Sequence, residues 1–267
     1  MSARMALVHR RGWDPQFIAS SAWMWPLARA ASGLRAPREW PSLCALDALH
    51  AARARELGAT ALRFAPQVKP RRMPRPVALA DRYDARIALH GEVPTRERNW
   101  HDLLNALCFA TFPRSKHALH LRQYRALCGH VQDGAARMPS ARTSEQDALT
   151  LFDEGGVVVA ATADAQRVLP ETATHDTPAL HAFAEALAAC ERRGLARVVP
   201  FGHALFEHMV EGIACPGASA RVLVLPALDA GDDALLAAVD AALAARIADP
   251  AYFRAPGEAF HLRLPGA

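Results

Sequence analysis

Lysine is almost missing from this chain. Of its 31 basic residues only Lys69 and Lys116 are lysine, and the rest are arginine. With the abundant alanine, this resembles the composition of a GC-rich bacterial genome, so an arginine here need not have been chosen for a phosphate. Cysteine is sparse too. The five cysteines, Cys44, Cys108, Cys128, Cys190 and Cys215, are odd in number and form no CxxC pair. That excludes a disulfide scaffold and a thiolate zinc site, and it fits reduced thiols packed as small hydrophobes in a cytoplasmic protein. No uncharged apolar run approaches the ~20 residues of a membrane helix, so no membrane association is expected. The uncharged stretch 17–28 follows basic residues, but it contains two Trp, two Ser and a Pro where a signal peptide would have leucine. Four motifs are absent as well: GxxxxGK[ST], GxGxxG after a strand, GxSxG and HExxH. Their absence weighs against common nucleotide hydrolysis, dinucleotide oxidoreduction, α/β-hydrolase chemistry and zincin proteolysis.

What is present is ordinary for a folded globular chain: 267 residues, 51% hydrophobic and 22% charged. The length suits one elaborate domain or two small ones. Four of the five tryptophans lie in the first forty residues. Residues 1–76 therefore read as an aromatic- and Arg/Pro-rich segment packed on the core, with 77–267 as the main domain. Charge is divided unevenly. Residues 1–142 carry 23 Lys/Arg against 10 Asp/Glu, a balance of +13, and residues 143–267 carry 8 against 17, a balance of −9, which together give the net +4. Either the basic half faces a polyanion, or the halves attract each other across an internal interface. The modest net charge favours the second.

Periodicity predicts a helix from Ser42, its N-cap, to Gly58. Four prolines within residues 65–76 exclude helix and central strand there. Alternation over 83–89 suggests a strand, followed by a turn at 91–94. Trp100, Leu103, Leu104, Leu107 and Cys108 mark a helix over 95–112, capped at Asn99 and ended by Pro113. A second helix capped by Ser115 runs to about Cys128. Residues 130–144 read as a polar loop, and 149–161 as a β-hairpin turning at Asp153-Glu154-Gly155-Gly156. Helices are expected at 178–193, 202–211 and 232–247, and a strand at 221–226. The expected fold is α+β: helix-rich with a small, mainly antiparallel sheet, in a single elaborate domain.

Three polar blocks carry the chemistry. In Asn99-Trp100-His101-Asp102-Leu103-Leu104-Asn105, His101 and Asn105 share a helix face. His101 is the candidate general base, with Asp102 as its orienter and Asn105 beside them. Arg114 and Lys116, at the start of the next helix, would form an anion site with Asn99 on the substrate side. His203 and Glu207 are four apart on one helix and could hold a divalent metal with ligands from elsewhere. Asp153, at the expected hairpin turn, is a further catalytic candidate. Each block also has a plainer reading as a cap, a turn or an i, i+4 pair.

The blocks Asn99-Trp100-His101-Asp102-Leu103-Leu104-Asn105, Phe112-Pro113-Arg114-Ser115-Lys116, Asp147-Ala148-Leu149-Thr150-Leu151-Phe152-Asp153-Glu154 and Phe201-Gly202-His203-Ala204-Leu205-Phe206-Glu207 resemble a bacterial family, domain of unknown function 3025. The resemblance implies a bacterial protein. It supplies no activity, but it places the separate polar blocks in one pattern. The expectation is a hydrolase-like enzyme with a His/Asp/Glu cleft, acting on an anionic, phosphate-bearing small molecule by acid/base or metal-assisted chemistry. The alternative is a non-catalytic module whose basic N-terminal half contacts nucleic acid or an acidic partner. One geometric question separates them: whether His101 and His203 meet at a solvent-reachable hollow.

Overall fold

The run Gly156-Val157-Val158-Val159-Ala160-Ala161 forms the central strand of a four-stranded sheet, and every residue of it is buried. A strand covered on both faces needs apolar side chains at every position, and so reads as a continuous run rather than an alternation. The computed structural model describes residues 12–34, 38–67, 79–131, 142–171, 177–213 and 217–264. The proline-rich arm from residue 68 and most of the 130–144 loop lie outside the described residues.

The strands are β1 (Arg63–Pro66), β2 (Glu92–Thr95), β3 (Gly156–Ala161), β4 (Ala196–Pro200), β5 (Gly217–Val224) and β6 (Phe260–Arg263). The α-helices are α1 (Ala28–Ser32), α2 (Leu43–Leu57), α3 (Tyr83–His90), α4 (Trp100–Thr111), α5 (Pro113–His130), α6 (Ser144–Gly155), α7 (Ala163–Gln166), α8 (Thr177–Arg192), α9 (His203–Val210) and α10 (Asp232–Ala248). The larger sheet has the order β4-β3-β5-β6. β3 pairs antiparallel with β4 (Val159 opposite Val198) and parallel with β5 (Val159 opposite Val222), and β5 pairs antiparallel with β6. β1 and β2 form a separate parallel pair.

Helix-rich α+β therefore describes the chain, but the sheets are one parallel and one mixed, not mainly antiparallel. The difference comes from the expected 149–161 hairpin. Its first arm is the helix α6, closed at its start by a capping box in which the Thr143 hydroxyl and the Gln146 side chain each bond the other's backbone N–H. Without that arm, β3 takes a parallel neighbour reached through a long connection. The expected strand at 83–89 is likewise helical. Gly91, in the left-handed conformation (φ 63°), terminates α3 by donating to the carbonyls of Arg86 and Ile87. The turn expected at 91–94 is the strand β2, and Pro66 closes β1, an edge strand of a two-stranded pair, so the exclusion of helix and central strand from residue 65 onward is not contradicted among the described residues.

Alternation along β3 divides the interior. Val157, Val159 and Ala161 face a cluster containing Trp100, Leu104, Leu205 and Phe206, while Val158 and Ala160 face Leu149, Phe152, Leu236 and Val239. The N-terminal segment enters the first cluster through Phe17, Met24 and Leu27, and Trp13 stacks on Trp100 at 5.6 Å. Ion pairs join the two oppositely charged halves: Arg29 and Arg53 to Asp233, Arg122 to Glu145, and Lys116 to Asp153.

Pro113 cannot continue α4, having no N–H to donate, but it is tolerated at the first position of α5. Ser115 does not cap that helix. It is fully buried, and its hydroxyl bonds the Asp240 carbonyl. The Asp240 carboxylate instead accepts from the N–H groups of Ser115 (2.8 Å) and Arg114 (3.1 Å).

Candidate active site

The site forms where three helix ends meet, the starts of α4 and α9 and the end of α6. Asn99 caps α4 by accepting from the Asp102 N–H at 3.0 Å, which places His101 in the first turn. His203 opens α9 directly after Gly202. A Cβ at Gly202 would stand 2.4 Å from the Glu154 carbonyl oxygen and from the Gly156 nitrogen. Only glycine permits that approach, and it brings His203 against Asp153 and Glu154 in the last turn of α6.

The two imidazoles converge. His101 Nε2 and His203 Nε2 lie 3.0 Å apart with the rings nearly perpendicular. Glu154 Oε2 is 3.4 Å from His203 Nε2. Ligand atoms of His101, Glu154 and His203 all fall within 4.8 Å of one another, a set that could hold a metal ion. Behind each ring stands a carboxylate. Glu207 Oε2 is 2.8 Å from His101 Nδ1. Asp153 Oδ2 is 3.7 Å from His203 Nδ1, which is buried and makes no hydrogen bond.

Asp153 is the hub of the deeper layer. Its other oxygen is paired with Lys116, which is wholly buried and sits over the Phe109 ring at 4.8 Å. His120, stacked on the same Phe109 ring, approaches Asp153 at 4.0 Å through Nε2 and bonds Asp84 at 2.8 Å through Nδ1. Asn105 donates to the Tyr83 hydroxyl at 2.9 Å.

Burial and charge shift the protonation of these groups in opposite directions. Burial pushes the His203 imidazole well below the ordinary histidine value, and Asp153 only partly offsets it. For His101 burial also acts downward, but the bond to Glu207 and the nearby Glu154 outweigh it and leave the group raised. Burial raises Glu154, reinforced by Asp153. Burial also acts to raise Asp153, yet Lys116, His203 and His120 together hold its carboxyl well below the usual carboxylate range.

These groups line a polar cleft of about 610 Å³, open to solvent. The sequence-derived candidates divide as follows. His101, Asp153, His203 and Glu207 meet here. Asn105 and Asp102 line the same cleft, but Asp102 is held by the Arg96 backbone and guanidinium at 2.6–2.9 Å. Glu207 contacts the far nitrogen of His101, outside the set facing the common point. Asn99 caps its helix. Arg114 and Lys116 form no open anion site, because Asp240 occupies the helix N-terminus as the protein's own anion, the Arg114 guanidinium bonds the Leu57 carbonyl, and Lys116 is sealed against Asp153. Glu154 and Asp84 were not singled out as site residues from sequence. The Thr143-x-x-Gln146 capping box was the available signal, since it turns the expected hairpin into a helix ending at Glu154.

No curated protein and no solved structure matches the chain. A family model described as "Protein of unknown function (DUF3025)" matches residues 68–266, about three-quarters of the length.

Proposed function

We propose that this chain, which belongs to the DUF3025 family, is a hydrolase that uses one divalent metal ion, held by His101, His203 and Glu154, to activate water against an anionic, phosphate-bearing substrate in the cleft. The observation that carries the reading is the 3.0 Å approach of two imidazole Nε2 atoms, each backed by a carboxylate on the Nδ1 side. The Glu207 hydrogen bond favours the His101 tautomer with its proton on Nδ1, which leaves the Nε2 lone pair for a metal, and at 3.7 Å Asp153 biases His203 the same way through charge alone. Two lone pairs facing each other need a cation between them. At ~2.1 Å from each nitrogen, an ion would see the pair at an angle of about 90°. Glu154, whose side chain is 43% exposed, is free to swing in as the third donor.

Local charge supports the same reading. Five carboxylates, on Asp84, Asp102, Asp153, Glu154 and Glu207, surround the site; Arg96 and Lys116 are the cations paired with them, and Arg82 and Arg142 line the same cleft. A divalent ion reduces that excess and turns the cleft toward an anionic ligand. His101, His203 and Glu154 would hold the ion with coordination positions left for water and substrate, and an ion held so would supply a bound water with its pKa lowered toward neutrality. Glu207 holds the His101 ring, Asp153 stands 3.7 Å behind His203, and Lys116 holds Asp153.

The competing occupant of the gap is a proton. A charged His101 donating to a neutral His203 satisfies the same 3.0 Å distance, and it accords with the opposite shifts of the two rings. Metal analysis of the purified protein, followed by calorimetric titration of the chelator-treated chain with Zn²⁺, Mn²⁺ and Co²⁺, separates the two. The proposal expects one ion per chain, lost in His203→Ala, and metal-dependent hydrolysis of aryl phosphate esters. A chain that binds none of the three ions would leave only acid/base chemistry.

A further inference from the structure

The cleft continues well beyond the metal-binding end, and its shape follows two helices. α5 and α6 run antiparallel: His120 lies against Asp153, and Gln123 bonds Thr150 at 3.4 Å. Along α5 the cleft is lined at spacings of three and four residues, from His120 through Gln123 to His130. Along α6 it is lined by Thr150 and Gln146, and at the far end by Arg142, just before the Thr143 cap. Those spacings put each set on one helix face. Ten residues of helix from His120 to His130 make the groove about 15 Å long.

Three features describe what fits. The middle of the groove is uncharged: Leu127 is apolar, and Gln123, Thr150 and Gln146, which bond one another or the Thr143 cap, keep spare donors and acceptors, which suits an uncharged chain. Its one aromatic ring besides the imidazoles, Tyr83, is packed edge-on against His120 and bonded to Asn105. The groove therefore gives no platform for stacking a nucleobase. Arg96 is already neutralised by Asp102, whereas Arg82 and Arg142 line the cleft with no ion pair among the described residues; Arg82 stands beside Asp81 and Asp84 at the start of α3, and Arg142 lies at the distal mouth just before the Thr143 cap.

We infer that the substrate is an elongated, polar, non-aromatic molecule carrying a second oxyanion roughly 15–18 Å from the bond that is hydrolysed, and that Arg142 receives this oxyanion. The inference rests on the reading that His101, His203 and Glu154 form the reactive end. A guanidinium at the groove's far end selects for substrate length as well as charge, because the distal group binds only if the spacer spans the gap.

The test uses the full chain loaded with Zn²⁺ and four probes: inorganic phosphate, and bisphosphonates whose ethylene-glycol spacers span about 8, 15 and 22 Å. Affinity is read by calorimetry. The 15 Å probe is expected to bind at least about tenfold tighter than the 8 Å probe, with the 22 Å probe falling away again. Arg142→Ala removes that advantage and Arg142→Lys restores part of it. Equal affinity at all three lengths, or a length optimum unchanged by Arg142→Ala, overturns the inference. A carboxylate in place of the distal phosphonate shows which oxyanion Arg142 prefers. Phosphate bound by the Zn²⁺-loaded chain with no length optimum sinks this inference alone. Failure of every probe to bind sinks the hydrolase reading with it.

Discussion

Replacing Lys116 by Met tests the charge balance beneath the site. Met keeps the length and apolar stem of Lys116 but removes its ammonium, which is fully buried and paired with Asp153. The Asp153 carboxylate would then be buried beside two histidines, one of them held neutral by burial. Breaking one partner from a buried ion pair typically costs about 3–5 kcal/mol, since the remaining charge stays out of water. In a chain of this size that corresponds to a fall of roughly 10 °C in Tm. The cost must also depend on pH. In the native protein the Asp153 carboxyl is depressed, so its contribution is present above its unfolded value near ~4 and is lost as pH falls through the lower folded value. In the variant the chief opposing cation is gone, and burial drives the same carboxyl up. The difference between the two proteins is therefore largest at neutral pH and shrinks as pH falls toward about 4. Urea denaturation of the chelator-treated proteins at several pH values measures this directly. A loss under about 1 kcal/mol at pH 7, or one that does not change with pH, would refute the assignment of Asp153 as a charged hub.

Three further outcomes follow from the packing and the caps. Gly202→Ala places a methyl within 2.4 Å of the Glu154 carbonyl, so it should cost about 1–3 kcal/mol and weaken metal binding measured on the same protein. Glu207→Gln should lower metal affinity about 10- to 100-fold by loosening His101, with thermal stability of the metal-free chain changing far less. Asn99→Ala should cost about 1 kcal/mol through loss of the α4 cap, and leave phosphate affinity unchanged, which a substrate-contacting Asn99 would not.

Much of the helical framework was legible because helix punctuation is local. Ser42 and Gly58, Asn99 and Pro113, and Gly194 after α8 each mark an end by their own backbone or side-chain chemistry. The errors fell where a local pattern had two meanings. Residues 83–89 alternate well enough for a strand, yet Gly91 stops them as a helix. Asp153-Glu154-Gly155-Gly156 looks like a turn, but its second glycine is dictated by crowding: a Cβ there would lie 2.3 Å from the Phe152 carbonyl. That clash arises only because the segment before it is a helix whose last turn bonds the Gly156 N–H to the same carbonyl, which the turn-like composition does not reveal. The site was half visible. His101, His203 and Glu207 stood out as a helical block and an i, i+4 pair. Which nitrogen faced which carboxylate depended on how α9 packs against α4. Lys116 looked like an open phosphate ligand because nothing local reveals that Asp153 covers it.

On the proposed metal-dependent reading, the crossing of Gly202 over Glu154 bears on ion choice. Main-chain atoms in direct contact set the gap between α6 and α9, with no long side chain to stretch or fold. That contact would fix where Glu154 stands relative to His203, while the packing of α4 on α9 sets the distance between the two imidazoles. Larger, oxygen-seeking ions such as calcium, which want six to eight ligands, would find two rigid nitrogens and a single adjustable arm. Discrimination among cations would then be built into the skeleton of the protein, with Glu154 providing the only fine adjustment.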